Sequence, residues 1–315
     1  MTVHSDLQHL PAFKNAVVTI GTFDGVHLGH QQIIAQLKAE AERIQGETVI
    51  ITFHPHPRKI VSSVPGDIKL LNTLEEKIDL LTQAGIDHLV IVPFDHQFAN
   101  MTAEEYIKDF LYKNFKPHTI IIGYDHRFGK GRSGDYHLLE RMGEELGYSV
   151  MEISEQILHE VAISSTKIRN ALLSHDITTA NDFLGYAYFF EGTVVKGNQL
   201  GRTIGYPTAN LHISSEEKLI PTDGVYAVEA AITDSASTNN NPPFLKGMMN
   251  IGLRPTVDGK KRVIEVNLFD FSDDIYDKVL KVYIKAFIRT EVKFNGLDAL
   301  KEQLKNDALQ AKSVL

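Results

Sequence analysis

Apolar and polar positions follow two different rhythms along the chain. Up to about residue 153, short β-branched runs at Ala16–Ile20, Thr48–Phe53, His88–Val92, His118–Ile122 and Tyr148–Ile153 have the length and apolar character of buried strands. Between them, Gln31–Ile44, Leu74–Ala84, Ala103–Lys113 and Tyr136–Leu146 space their apolar residues as helices do, and several stop near a glycine (Gly46, Gly85, Gly147). Strand and helix in strict alternation predict a Rossmann-like, doubly wound parallel sheet covered on both faces. After Arg169–Leu173 and a short helical stretch, Ile177–Leu184, the rhythm changes. Runs at Tyr188–Lys196, Gly224–Ile232, Gly247–Ile251, Val263–Phe269 and Leu280–Ile288, punctuated by glycine and proline, predict a closed or nearly closed antiparallel β-barrel, with Leu297–Ala311 as a terminal helix. The fold class expected is α/β plus all-β, with domains at 1–184 and 185–315. The polar segment Asp234–Pro243 reads as a hairpin tip to which no function attaches.

Composition narrows the chemistry. A chain of 315 residues with 43% hydrophobic content has material for two cores, in keeping with the two rhythms. The absence of cysteine excludes disulfides and thiolate catalysis and fits a reducing compartment. No leader-like segment and no apolar run of bilayer length is present, so a cytoplasmic protein without membrane association is expected. A formal charge of −8 argues against a nucleic-acid surface, while leaving room for local basic groups that hold a phosphorylated small molecule.

The stretch GTFDGVHLGH, Gly21 to His30, lies where the first buried strand becomes a helix. Ligands of open parallel sheets collect at such strand ends, where the next helix presents free N–H groups. With a helix beginning near Val26, His27 and His30 share one face of its first turn and point together at a phosphate. Gly21, Gly25 and Gly29 allow close approach to backbone, and Asp24 is placed to cap the helix or orient a group. Taken alone, the same pattern also suits a capped helix with two solvated histidines.

HLGH after a first strand resembles the HxGH signature of the nucleotidylyltransferase superfamily, and ISSTKIR, Ile163 to Arg169, resembles that superfamily's second element. The blocks TFHPHP (52–57), LNTLEEK (71–77), GYDHRFG (123–129) and RSGD (132–135) resemble those of the bacterial bifunctional riboflavin kinase/FAD synthetase family. One departure is visible: His126 stands where the family has phenylalanine, which bears on packing beside the flavin or its phosphate. The resemblance implies adenylylation of FMN by ATP, with His27 and His30 catalytic. It implies that Gly21, Phe23, Asp24, Gly29, Asp125, Arg132, Ser164, Ser165, Thr166 and Arg169 bind ATP or FMN, with His54 and His56 in a secondary substrate-loop role.

In the second half, GTVVKGNQLGRTIGYPTANL (192–211) is glycine-rich without being a Walker or protein-kinase loop. Through PTAN and NIGLRPT (250–256) it resembles the riboflavin kinase module. That implies ATP or flavin binding by Gly197, Gly201, Arg202, Gly205, Pro207 and Arg254, and Mg²⁺ held by the oxygens of Thr208 and Asn210. Alternation along Val263–Phe271 sends Glu265, Asn267 and Phe269 to one face. The family pattern makes Glu265 the base for the riboflavin 5′-hydroxyl. Asn267 replaces the family's common histidine, either tuning that base or only packing.

The expectation is a bifunctional enzyme that takes riboflavin to FMN and FMN to FAD, each with ATP and Mg²⁺, in a monomer or weak homo-oligomer with small-molecule substrates. Two rivals stand beside it: an enzyme with one domain weakened at His126 or Asn267, and a flavin-binding regulator without turnover. Phosphate-aligning groups in both halves argue against the regulator.

Overall fold

The computed structural model describes residues 1–61, 68–153, 163–197, 200–233, 243–256 and 259–315. The chain divides into two compact units, Met1–Ser165 and Thr166–Leu315.

The first unit holds a parallel six-stranded sheet in the order β1-β4-β3-β2-β5-β6. Its strands are β1 (Thr2–His4), β2 (Val17–Ile20), β3 (Thr48–His54), β4 (His88–Pro93), β5 (Thr119–Gly123) and β6 (Ser149–Ile153). Neighbouring positions of the central strands feed two separate cores. Val18, Val49, Ile51, Val90 and Ile120 pack on one face with Tyr106, Phe110 and Phe115. Val17, Ile50, Leu89 and Ile121 pack on the other with Ile34, Leu37, Ala41 and Leu81. Burial on both faces is why these strands read as unbroken apolar runs. All five expected strands are present. The edge strand β1 was not foreseen, since three largely exposed residues carry no periodic signal. Helices follow at Leu28–Ile44, Leu74–Gln83 and Tyr136–Leu146. The stretch expected at Ala103–Lys113 forms as consecutive helical segments, of which Tyr106–Tyr112 winds as a π-helix and buries Tyr106, Ile107, Phe110 and Leu111.

The second unit begins one residue into the helix Ser165–Leu173, continues with Ile177–Leu184 and closes a barrel in the order β10-β11-β8-β7-β12-β9. Its strands are β7 (Phe189–Val195), β8 (Ala209–His212), β9 (Gly224–Thr233), β10 (Leu245–Thr256), β11 (Gly259–Leu268) and β12 (Val279–Arg289). All pair antiparallel. The terminal helix Leu297–Val314 is tied to the end of β12 by a buried ion pair, in which Arg289 Nε and Nη2 donate to Asp307 at 2.8 and 2.6 Å. The strand β8 was hidden in the sequence behind its glycine-rich neighbourhood. The segment foreseen as a hairpin tip, 234–242 with Pro243, falls outside the described residues but for Pro243.

Candidate active sites

At the carboxyl end of β2 the chain turns sharply. Phe23, Gly25 and Val26 all have positive φ, so a helix cannot start at Val26; it starts at Leu28 with His27 as its N-cap. The two histidines nevertheless meet, because an N-cap and the third helical residue lie on the same turn. Their rings stack with centroids 3.8 Å apart and an interplanar angle of 18°. Phe23, almost fully buried, closes on the other side of His30 at 4.9 Å.

Burial, reinforced by His27 and by the charge of Lys77, holds His30 well below the ordinary imidazole range, so it is neutral at physiological pH. Its Nδ1 is buried and makes no hydrogen bond. A neutral imidazole beside a helix N-terminus offers a donor to phosphate oxygens without bringing a solvated charge into the site.

Asp24 does not cap the helix. Its carboxylate turns inward and accepts the backbone N–H groups of Leu71 and Asn72 at 2.9 and 3.3 Å. Lys77 meets the same turn from the helix Leu74–Gln83: its Nζ donates to the Thr22 carbonyl at 2.7 Å and to Thr52 Oγ1 at 3.4 Å. Burial brings this ammonium down to about 8, against the pull of Asp24. The LNTLEEK block thus has a physical reading. Thr73 and Glu76 form a capping box at 3.2 and 2.9 Å, and Lys77 braces the turn that carries the histidines. Lys77 was missed as a site residue because a lysine on a capped, polar-looking helix reads as solvated; TFHPHP and LNTLEEK together were the available signal.

Ser165 joins this turn, its hydroxyl donating to the Asp24 carbonyl at 2.9 Å. Ser164 precedes it, half-buried. Thr166 and Arg169 lie further along the helix Ser165–Leu173 and are counted with the second unit. Gly21 ends β2 and donates its N–H to Ile51, while Gly29 lies under the His27 ring. Asp125 and Arg132 are exposed on the loop after β5. Between them His126 stacks on Phe128 at 5.9 Å and 30°. Burial pushes it down to about 4, so at neutral pH it is an uncharged ring in the place of the family's phenylalanine. His54 is exposed at the end of β3; His56 is half-buried and accepts the N–H of Arg58 at 3.2 Å.

In the barrel, strand register aligns three motifs that are far apart in the chain. Glu265 on β11 pairs with Asn210 on β8 and with Asn250 on β10, so PTAN, the glutamate strand and NIGLRPT present their polar residues in one row. A cavity of about 340 Å³ opens beside this row, lined among others by Gly201, Thr208, Asn250, Arg254, Glu265 and Asn267. Arg254 Nη2 donates to Glu265 at 2.8 Å. Asn267 is buried and its carboxamide donates to the Pro207 carbonyl at 2.7 Å, so it ties down the start of PTAN. This contact is one of the two roles left open for Asn267; the cavity that it lines together with Glu265 leaves the other open as well. Gly197 must be glycine because a Cβ there would collide with the carboxamide of Asn210. Arg202 lies in the short helix Leu200–Thr203, exposed and outside the cavity lining, and Gly205 follows in the turn after it. Glu291, which no motif marked, reaches the cavity from the loop after β12.

The parallel-sheet unit with paired histidines at a strand end and the barrel with its aligned carboxylate define a chain of two nucleotide-handling transferase modules. The FAD synthetase family model matches residues 10–167, and the riboflavin kinase family model matches residues 184–315. The chain is 37% identical to the bifunctional riboflavin kinase/FMN adenylyltransferase of Escherichia coli (strain K12), over 95% of this chain and 92% of that one. It is 36% identical to the protein of the same name from Bacillus subtilis (strain 168), over 94% and 91%. It belongs to the bifunctional riboflavin kinase/FMN adenylyltransferase family. A crystal structure described as a macrolide-efflux protein from Streptococcus pneumoniae superposes with a TM-score of 0.85 at 30% identity, covering 99% of this chain and 98% of that one. Among the described residues no helix is long and apolar enough to cross a membrane.

Proposed function

We propose that the two reactions of this enzyme, phosphorylation of riboflavin to FMN and adenylylation of FMN to FAD, run at separate sites built from the residues above, the second within 1–184 and the first within 185–315. The observation that supports this most is that each set of motifs forms its own polar cluster inside one half of the chain: the His27–His30 stack braced by Lys77, and the Asn210–Glu265–Asn250 row.

In adenylyl transfer, a phosphate oxygen of FMN attacks the α-phosphorus of ATP. The bond from that phosphorus to the bridging oxygen breaks, and pyrophosphate leaves. No protein nucleophile is needed, so the work is alignment and charge stabilisation. His27 and His30 hold the phosphates from the helix N-terminus, with Ser164, Ser165, Thr166 and Arg169 on the leaving side and Asp125 and Arg132 towards the flavin.

In the kinase reaction, the riboflavin 5′-hydroxyl gives its proton to the Glu265 carboxylate as its oxygen attacks the γ-phosphorus, and ADP leaves with the bridging electron pair. Gly197, Gly201, Gly205, Arg202 and Pro207 shape the nucleotide loop. Thr208 and Asn210 fit Mg²⁺ as neutral oxygen donors on one side of a strand end. When bound, Mg²⁺ supplies neutralisation of the phosphate charge. The enzyme acts in the cytoplasm as a monomer or weak homo-oligomer, on small molecules only.

The test is a chromatographic assay of riboflavin, FMN and FAD with MgATP. Glu265→Ala lowers FMN formation by about 10²–10⁴-fold and spares FAD formation from supplied FMN. His30→Ala lowers FAD formation by roughly 10²–10³-fold and spares FMN formation. Equal loss of both reactions in both variants overturns the two-site reading.

A further inference from the structure

The lining of the barrel cavity has two characters. Thr208, Asn250, Arg254 and Glu265 are polar, whereas Val292 and Phe294 of the loop after β12, with Leu300 and Leu304 of the terminal helix, make an apolar wall. Riboflavin has the same two characters. With its 5′-hydroxyl at Glu265, its flat ring is left to the apolar lining.

Packing alone does not fix that wall. Beneath the terminal helix the buried apolar residues are Ala311, Ala227 and Met248, with Leu304 and Ala308 only partly covered. Alanine against alanine offers shallow ridges, which leave the rotation and height of a helix poorly specified.

One guanidinium supplies the missing constraint. Arg289, the last residue of β12, donates through Nε and Nη2 to both carboxylate oxygens of Asp307 at 2.8 and 2.6 Å. Asp307 is 1% exposed and accepts a third hydrogen bond from Gln303 at 2.8 Å. It follows Leu304 by three residues and Leu300 by seven, on one helix face, so holding its carboxylate sets where both leucines meet the cavity. Arg289 Nη1 also donates to the Thr290 carbonyl at 2.9 Å, and the guanidinium lies over the Phe294 ring at 5.7 Å. The loop so held carries Glu291, which accepts from Arg254 Nη1 at 3.0 Å and from Asn250 Nδ2 at 3.3 Å. A buried ion pair adds little stability over an apolar pair of the same volume; what it can add is a single geometry.

We infer that Arg289 and Asp307 are positioning residues for riboflavin: their pairing sets the register of the terminal helix and of the loop before it, and with it the wall that the flavin ring meets. The inference rests on the reading of this cavity as the riboflavin kinase site, and the experiment separates the two. In the full chain, kcat and KM are measured for riboflavin and for MgATP, together with FAD formation from supplied FMN and a melting curve. The variants are Asp307→Asn and the double variant Arg289→Met/Asp307→Leu, which puts apolar side chains in place of the ion pair.

Asp307→Asn lowers the melting temperature and raises KM for riboflavin about 10-fold or more as the wall loses its fit. The double variant recovers the melting temperature but not KM, a result that a merely stabilising ion pair does not give. In both, kcat and KM for MgATP stay within about threefold, because the ring contact is lost equally from ground and transition states. FAD formation from supplied FMN is unchanged. A KM for riboflavin within about twofold of the natural protein in either folded variant overturns the inference. So does a rise in KM for MgATP as large as that for riboflavin. FMN formation that survives Glu265→Ala overturns the underlying reading instead.

Discussion

Around the histidine pair, two charged groups lie inside the protein: Asp24 is 2% exposed and Lys77 7%. In the barrel the corresponding side chains stay in contact with water, Arg254 at 41%, Glu265 at 27% and Glu291 at 33%. The parallel-sheet unit has met the cost of desolvating these two charges, fixing both on backbone. Lys77 holds the Thr22 carbonyl, and Asp24 holds the Leu71 and Asn72 amides. The barrel site leaves its ions half-solvated, sharing one guanidinium between two carboxylates in a cavity that a substrate can close. Folding alone takes Asp24 and Lys77 out of water, whereas Arg254, Glu265 and Glu291 stay open to it.

The sharpest way to break this comparison is at Lys77. Lys77→Met removes the ammonium donor from the Thr22 carbonyl, leaving it the Thr52 hydroxyl at 3.2 Å, and removes the buried charge that Asp24 attracts, at a cost of about 2 kcal/mol in stability. FAD formation falls by about 100-fold as the strained turn carrying His27 shifts, while FMN formation continues in the protein that remains folded. A melting curve and the three-flavin assay read both effects. The pH dependence adds a check that needs no substitution. Lys77 is lowered from 10.5 to about 8, so in the folded protein it loses its charge as pH rises through 8. Over that range an unfolded lysine keeps its proton, so the folded state binds fewer protons and stability rises with pH. FAD formation alone is expected to decline above pH 8, in a protein that this group does not unfold. A parallel decline of FMN formation would place the sensitive group elsewhere.

The same contrast explains what could be read from the chain beforehand. Buried strands such as Val17–Ile20 and Thr48–His54 announce themselves because both faces are apolar. The histidine pair and Glu265 were legible because they stand in short motifs whose residue types have few other uses together. Lys77 was not, since its partners are a backbone carbonyl and a threonine hydroxyl that only the turn after β2 brings close. Glu291 was not, since its partners on β10 come near only when the barrel closes. Of the two roles open to Asp24, capping the helix was not ruled out beforehand because the positive φ values of Phe23 and Val26, which delay the helix, leave no mark in composition.

Asn267 sharpens the barrel side of the comparison with a smaller effect. Its carboxamide holds the Pro207 carbonyl at 2.7 Å, and Pro207 immediately precedes the Thr208 oxygen assigned to Mg²⁺. Asn267→Ala removes one hydrogen bond, worth about 1 kcal/mol, and loosens PTAN. KM for MgATP should rise several-fold, with the acid limb of FMN formation unmoved. A shifted limb would mean that Asn267 tunes Glu265 after all, and that the two halves of the barrel site are not independent.

The smallest effect is expected at His126, the departure that first put the flavin side in question. Its ring stacks on Phe128, its Nε2 is buried without a partner, and burial keeps it neutral above about pH 4. His126→Phe keeps the ring and removes the unsatisfied nitrogen, so FAD formation at pH 7 should stay within about twofold, and stability should rise by roughly 1 kcal/mol. The acid side gives the decisive sign. Because the folded pKa lies below the unfolded value of 6.5, the unfolded state binds the extra proton first, and the natural protein loses stability as pH falls from 6.5 towards 4. The phenylalanine variant takes up no such proton, so the gap between the two melting temperatures should widen over this window. If instead the gap stays constant while FAD formation collapses, His126 meets the flavin phosphate as a charged group, and the parallel-sheet site is less completely built before its ligands arrive than its buried charges indicate.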